Sequence, residues 1–250
     1  MGRGITDRGE VYVVFFFFEA EVGIRYLVRS RGLGDVYKRQ SYSICTGMHE
    51  NDVRVAVKKV EGGVVSTWAI EQLKVGDWLD VMPPQGHFFT DLSPENEKLY
   101  VAFVAGSGIT PILSIMKAVL ETESNSTFTL FYGNRTADAV IFKEAIEALK
   151  NRYMNRMSVH YLLSREYPGS DIFYGRITAE KCCIFCKVLL DYEATDEFFL
   201  CGPQEMIEAV GDTLAGLGVD PHKIHTELFQ ASTGKQAAAQ IQERVEALPD

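Results

Sequence analysis

The chain has 250 residues, 46% of them hydrophobic and 24% charged, and a formal net charge of −9. That length suits two ordinary domains with real cores, and that balance suits a soluble globular fold better than a membrane protein. The acidic charge is spread without a basic stripe, which argues against a nucleic-acid partner because phosphates would be repelled.

No apolar run approaches the roughly 18 residues of a membrane span. The longest stretch, Val11 to Phe18, lies between Glu10 and Glu19, without the basic flank and small-residue cleavage site of a signal peptide. Five cysteines, Cys45, Cys182, Cys183, Cys186 and Cys201, make no even disulfide framework. A reducing compartment, the cytoplasm, is therefore expected.

In chain order, residues 1–40 show no strand periodicity beyond Val11 to Phe18, and Arg29 to Gln40 is basic and glycine-containing without a core face. Short strand-like runs follow at Asp52 to Val60 and Asp77 to Met82, punctuated by Gly62-Gly63, Gly76-Asp77 and Pro83-Pro84. That is the pattern of a small antiparallel barrel. Asp91 to Glu97, with Pro94, is the expected hinge.

From Leu99 buried strands alternate with helices. Strands are predicted at Leu99 to Ala105, Thr127 to Tyr132, Ser158 to Ser164 and Glu197 to Cys201. Helices are predicted at Pro111 to Glu121, Val140 to Asn151, Ala179 to about Leu190 and Pro203 to Leu217. Such alternation predicts a doubly wound parallel α/β sheet. The expected division is 1–40 as a foreign segment, 41–96 as a barrel incomplete at its start, 97–231 as a nucleotide-binding domain and 232–250 as a linker.

The strongest motif is the strand Val101 to Ala105 running into Gly106-Ser107-Gly108-Ile109-Thr110-Pro111. Glycines at 106 and 108 allow close backbone approach to a pyrophosphate, Thr110 is suited to cap the helix, and Pro111 suits its first turn. Pro111 stands where a Rossmann turn has its third glycine. A second signal, Cys201-Gly202-Pro203, ends another predicted parallel strand, where ligands of open α/β sheets bind; a strand-ending cysteine is otherwise a plain core residue. Cys182-Cys183-x-x-Cys186 could suggest a metal, but it lacks a second ligand pair or a nearby histidine. Apolar thiols on a helix facing the sheet are the expectation there.

Tyr42-Ser43, Gly63-Val64-Val65-Ser66, Gly106 to Pro111, Cys201-Gly202-Pro203 and Glu227-Leu228-Phe229 occur in the order seen in the ferredoxin–NADP reductase superfamily, which the chain resembles from about Ser41 to Ala231. The wording is closest to oxygenase-serving members that carry a C-terminal ferredoxin domain. The resemblance implies an FAD-binding, NAD(P)H-oxidising electron-transfer enzyme. In it Tyr42 stacks on the flavin, Ser43 bonds near flavin N5, and Gly63, Val64, Val65 and Ser66 open a helix near Thr67 that holds the flavin pyrophosphate.

Gly106, Ser107, Gly108, Thr110, Pro111, Cys201, Gly202, Pro203, Met206 and Phe229 would then border the nicotinamide nucleotide, and Tyr42, Ser43, Cys201 and Glu227 would shape hydride transfer from nicotinamide C4 to flavin N5. Arg135, Arg165 and Arg176, with Ser164, stand where NADPH-preferring members bind the 2′-phosphate, so NADPH is expected ahead of NADH. One departure concerns the arginine two before the tyrosine that pairs with the flavin pyrophosphate; here Arg39 is three before Tyr42, a slip that reverses strand face.

The expected acceptor is an oxygenase component or ferredoxin, with a [2Fe–2S] cluster only in a ferredoxin domain beyond Asp250. No metal site is assigned within the chain. Two alternatives stay open: the reductase part of a flavohaemoglobin or ring-hydroxylating dioxygenase, and a non-catalytic NADP-binding fragment.

Overall fold

The computed structural model describes residues 4–5, 11–16, 25–29, 39–74, 77, 80–81 and 86–228. The first part is antiparallel. Strands β1 (Gly4–Ile5) and β5 (Val53–Lys58) flank β2 (Val11–Phe16), while β4 (Arg39–Ser43) and β6 (Asp80–Val81) flank β3 (Arg25–Arg29). An Ile44–Val55 bridge links the two sheets. In β5, Val53, Val55 and Val57 are buried while Arg54 and Ala56 are part-exposed, the period of two expected for a strand with one core face. Strands β2 and β3 fall within the stretch where composition shows little pattern, because β3, Arg-Tyr-Leu-Val-Arg, is too short to display a period. Helix α1 (Val64–Glu71) follows a turn at Gly62-Gly63 and begins three residues before the expected Thr67.

The second part is a five-stranded parallel sheet in the order β11-β10-β7-β8-β9. Its strands are β7 (Leu99–Ala105), β8 (Thr127–Asn134), β9 (Met157–Leu163), β10 (Glu197–Gly202) and β11 (Ile224–Leu228). Helices α2 (Ile109–Thr122) and α3 (Lys143–Arg152) pack on one face, and α4 (Ala179–Val188) and α5 (Gln204–Gly216) on the other. Alternate residues of β7 serve the two cores: Tyr100, Ala102 and Val104 face α2, whereas Val101 and Phe103 face α4 and α5. Both faces are covered, so the strands are nearly continuous apolar runs.

Helix α3 starts at Lys143 and not Val140, because Phe142 takes a left-handed backbone (φ 59°) that a helix cannot include. Strand β11 has no apolar signature: its one buried residue is Glu227.

The segment expected as a hinge is tied down. The buried Glu123 carboxylate accepts from Ser126 Oγ (2.7 Å), Tyr100 Oη (3.0 Å), Asn96 Nδ2 (2.6 Å) and the Ser93 N–H (3.3 Å). Four donors offset the cost of burying the charge. On the far face Cys182 and Cys186, one helical turn apart, are buried against the sheet, as expected for core thiols. Among the described residues no three His, Cys, Asp or Glu side chains gather as metal ligands, and no helix is long and apolar enough to cross a membrane.

Candidate functional site

Strand order reverses between β7 and β10, and a parallel sheet presents its ligand crevice at the carboxyl ends of the strands beside that reversal. The two glycine motifs end these two strands. Gly106 has φ 55°, a left-handed conformation that favours glycine. A Cβ on Gly108 would overlap the Cys201 carbonyl, 2.7 Å from its carbon, and lie 3.1 Å from Cys201 Sγ, so the two loops touch only because residue 108 is glycine. Gly202 is close as well: a Cβ there would meet the flexible Met206 Cε at 2.9 Å and the Ala105 nitrogen at 3.2 Å. Pro203 caps α5, and Met206 lies buried in its first turn.

Thr110 does not cap α2. Gly108 holds the cap position, and Thr110, inside the helix, donates its hydroxyl back to the Ser107 carbonyl at 2.9 Å. Pro111 lies in the first turn as expected. Tyr132 Oη donates to the Gly106 carbonyl at 2.9 Å, a support for the turn that the sequence motifs do not reveal. Burial pushes the Tyr132 phenol well above its ordinary range, which keeps it a donor.

A row of residues crosses the sheet at this level. Tyr132 pairs with Val104, Val104 with Cys201, and Cys201 with Glu227. Cys201 is fully buried, and Glu227 is buried at the end of the edge strand β11. Glu227 Oε1 accepts a hydrogen bond of 2.9 Å from Ser43 Oγ at the end of β4. One buried contact between residues 184 positions apart thus joins the first part to the carboxyl edge of the parallel sheet. Tyr42, beside Ser43, is part-exposed, and burial pushes its phenol up to about 12.

Gly63 precedes α1, whose early N–H groups have no acceptor within the helix. A Cβ on Gly63 would meet Ser66 Oγ at 2.6 Å and the Val60 carbonyl at 3.0 Å. Ser66 Oγ accepts from the Val60 N–H (3.2 Å), so the serine closes the turn while Val64 stays exposed above buried Val65. Thr67 lies in the first turn, its N–H donating to the Gly63 carbonyl. This is a narrow glycine seat at a helix N-terminus, the arrangement that suits a pyrophosphate.

Arg135, Arg165 and Arg176 are exposed beyond the carboxyl ends of β8 and β9. The Arg165 N–H donates to the Arg135 carbonyl (2.8 Å) and the Ser164 N–H to the Asn134 carbonyl (3.0 Å). Gly175, next to Arg176, donates to the Leu163 carbonyl, which brings the third arginine to the same edge. Arg39 is in β4 with its backbone opposite Arg29; its side chain, and all of Phe229, lie outside the described residues.

Residues 103–212 match the oxidoreductase NAD-binding domain family, and residues 23–90 the oxidoreductase FAD-binding domain family. The second match overlaps residues 23–40, within the stretch that composition set apart. The chain is 41% identical to one of the polypeptides of the 1,2-phenylacetyl-CoA epoxidase of Escherichia coli (strain K12), over 76% of its own length and 54% of that protein. It is 33% identical to the ferredoxin reductase component of 3-ketosteroid-9-alpha-monooxygenase from Rhodococcus rhodochrous over 80% of its length and 53% of that protein. It therefore spans about half the length of these curated relatives. Its fold is that of the flavohem-like FAD/NAD-binding domain of Vibrio cholerae nitric oxide dioxygenase, with TM-score 0.77, 23% identity and coverage of 91% of this chain and 95% of the other. A ferredoxin NADP+ reductase from Neisseria gonorrhoeae, solved with FAD and NADP, has TM-score 0.71 at 19% identity, with coverage of 88% and 92%.

Proposed function

The chain belongs to the ferredoxin–NADP reductase family of FAD- and NAD-binding oxidoreductases, and from that membership we propose that it is the reductase module of an oxygenase system, moving electrons from NADPH through FAD to an iron–sulfur centre. The observation that carries the reading is the buried Ser43–Glu227 hydrogen bond beside Cys201, which brings the flavin strand to the mouth of the nucleotide crevice. FAD, when bound, supplies the two-electron acceptance and single-electron release that no side chain offers.

The residues fit that cofactor. Gly63, Val64, Val65, Ser66 and Thr67 would hold the flavin pyrophosphate, and Tyr42 and Ser43 would border its ring. Gly106, Ser107, Gly108, Thr110 and Pro111 would cradle the dinucleotide phosphates, while Cys201, Gly202, Pro203 and Met206 would wall the nicotinamide. Glu227 holds the Ser43 hydroxyl in place, and the buried setting keeps water from the contact. Arg135, Arg165 and Arg176, with Ser164, would select the 2′-phosphate; their clustering at one edge supports NADPH over NADH. The barrel is proposed to end near residue 96 and the nucleotide domain to begin at 97.

The acceptor is proposed to be a ferredoxin-type [2Fe–2S] domain or oxygenase component serving phenylacetyl-CoA epoxidation, in keeping with the substrate in the Escherichia coli relative's name. A cytoplasmic setting accompanies it, in keeping with Cys45, Cys182, Cys186 and Cys201, buried cysteines that form no disulfide among the described residues. The test is to load the purified chain with FAD and follow ferricyanide reduction with NADPH and with NADH. Flavin absorbance together with faster turnover on NADPH is expected; a chain that takes up no flavin, or binds it and oxidises neither nucleotide, would contradict the reading.

A further inference from the structure

Helix α2 carries the dinucleotide turn at its N-terminus and a second set of contacts at its middle. Ser114, fully buried, donates its hydroxyl to the Thr46 carbonyl at 2.5 Å. Lys117, one turn further on, donates to the Cys45 carbonyl at 3.2 Å and to both Glu50 carboxylate oxygens at 3.0 and 2.8 Å. Residues three apart on a helix share a face, so the two side chains grip consecutive carbonyls of one loop.

That loop follows directly from Tyr42-Ser43. It packs on α2 without a spacer: a Cβ on Gly47 would fall 2.9 Å from Lys117 Cβ. Its own bonds close it, the Gly47 N–H donating to Glu50 Oε2 (2.7 Å) and the Cys45 N–H to the Arg54 carbonyl (2.9 Å). The loop thus has one seat on the helix, and that seat is fixed in the same rigid element as Gly106 to Thr110.

We propose that Ser114 and Lys117 are positioning residues that lock the exit of the Tyr42-Ser43 strand to the helix bearing the dinucleotide turn, and so set the approach of the flavin and nicotinamide sites. The proposal rests on the functional reading above for what the two sites hold. A lock of this kind matters because hydride transfer falls steeply when reacting groups are displaced by about an ångström.

The test combines Ser114→Ala and Lys117→Met, singly and together, with two readouts. The first is amide hydrogen exchange of the chain without cofactors. Residues 44–50 are expected to exchange at least about tenfold faster in the double variant, with 99–105 unchanged, because only the local opening becomes easier. The second is anaerobic reduction of the FAD-loaded chain by NADPH. The rate is expected to fall about tenfold, while FAD content and the NADPH KM stay within about twofold.

Lys117→Arg, which keeps the charge and donors, should remain near the parent in both. Lys117 is part-exposed, so its single variants decide the matter if loss of Ser114 harms folding. Wild-type exchange at residues 44–50 in the variants, or an unaltered reduction rate despite a loosened loop, would overturn the proposal. If the parent chain itself reduces no flavin, the functional reading fails, and exchange alone decides the lock.

Discussion

Cys201, Gly108, Ser43 and Glu227 show how a site is built from residues of little individual meaning. Each has a bland explanation when taken alone, and the fold brings them into contact: Gly108 must be glycine because Cys201 lies against it, and Glu227, buried at the sheet edge, accepts from Ser43. These positions were legible in sequence through short motifs. Ser114 and Lys117 were not, since the backbone carbonyls they grip lie 68 and 72 positions upstream and leave no side-chain signature, and the side-chain partner of Lys117, Glu50, is itself 67 positions away.

Arg165 gives a prediction at this scale. Arg165→Ala is expected to raise the NADPH KM by the roughly 1.5–3 kcal/mol of a charged hydrogen bond and leave NADH nearly unchanged. Steady-state kinetics with both nucleotides checks it, and an equal loss for both would remove Arg165 from 2′-phosphate recognition. Gly108→Ala is expected to cost about 1–3 kcal/mol, because the backbone carbonyl of Cys201 cannot move aside as a side chain can. A lowered Tm with weakened NADPH binding is the expected pair of results; an unchanged Tm would mean that the loop yields freely.

Among the elements, the apolar strands β7, β8 and β10 and the amphipathic helices were the most legible, because their burial on both faces writes itself into composition. Strand β11 was not, since its buried residue is an acid and its other residues are part-buried or exposed. What secures it is partly polar. Glu197 at the start of β10 accepts from Lys98 Nζ at 3.0 Å and meets His225 Nε2 of β11. Burial alone would raise the Glu197 pKa, but the bonds from His225 and Lys98 outweigh it and hold the carboxyl below its ordinary 4.5.

A depressed carboxyl stabilises the fold above its unfolded pKa, and that stabilisation is lost as pH falls through the lower, folded value. Glu197→Gln should therefore lower Tm at neutral pH, with the gap to the parent closing as pH drops below the ordinary carboxylate range. A gap that stays constant into strong acid would show that the charge contributes nothing.

Over the whole molecule, alternation of strands and helices predicted the parallel sheet, and glycine punctuation predicted the barrel. The strand order, and with it the meeting of two motifs about a hundred residues apart at one reversal, needed the fold. The central claim is that this meeting point joins a flavin seat to a nicotinamide crevice through Ser43 and Glu227. The direct measurement is single-turnover, anaerobic stopped-flow reduction of the FAD-loaded chain by NADPH, compared with Glu227→Ala. The parent flavin should bleach rapidly, and the variant, with equal FAD content and nearly equal NADPH affinity, at least about tenfold more slowly. Equal bleaching rates in the two proteins would contradict the claim.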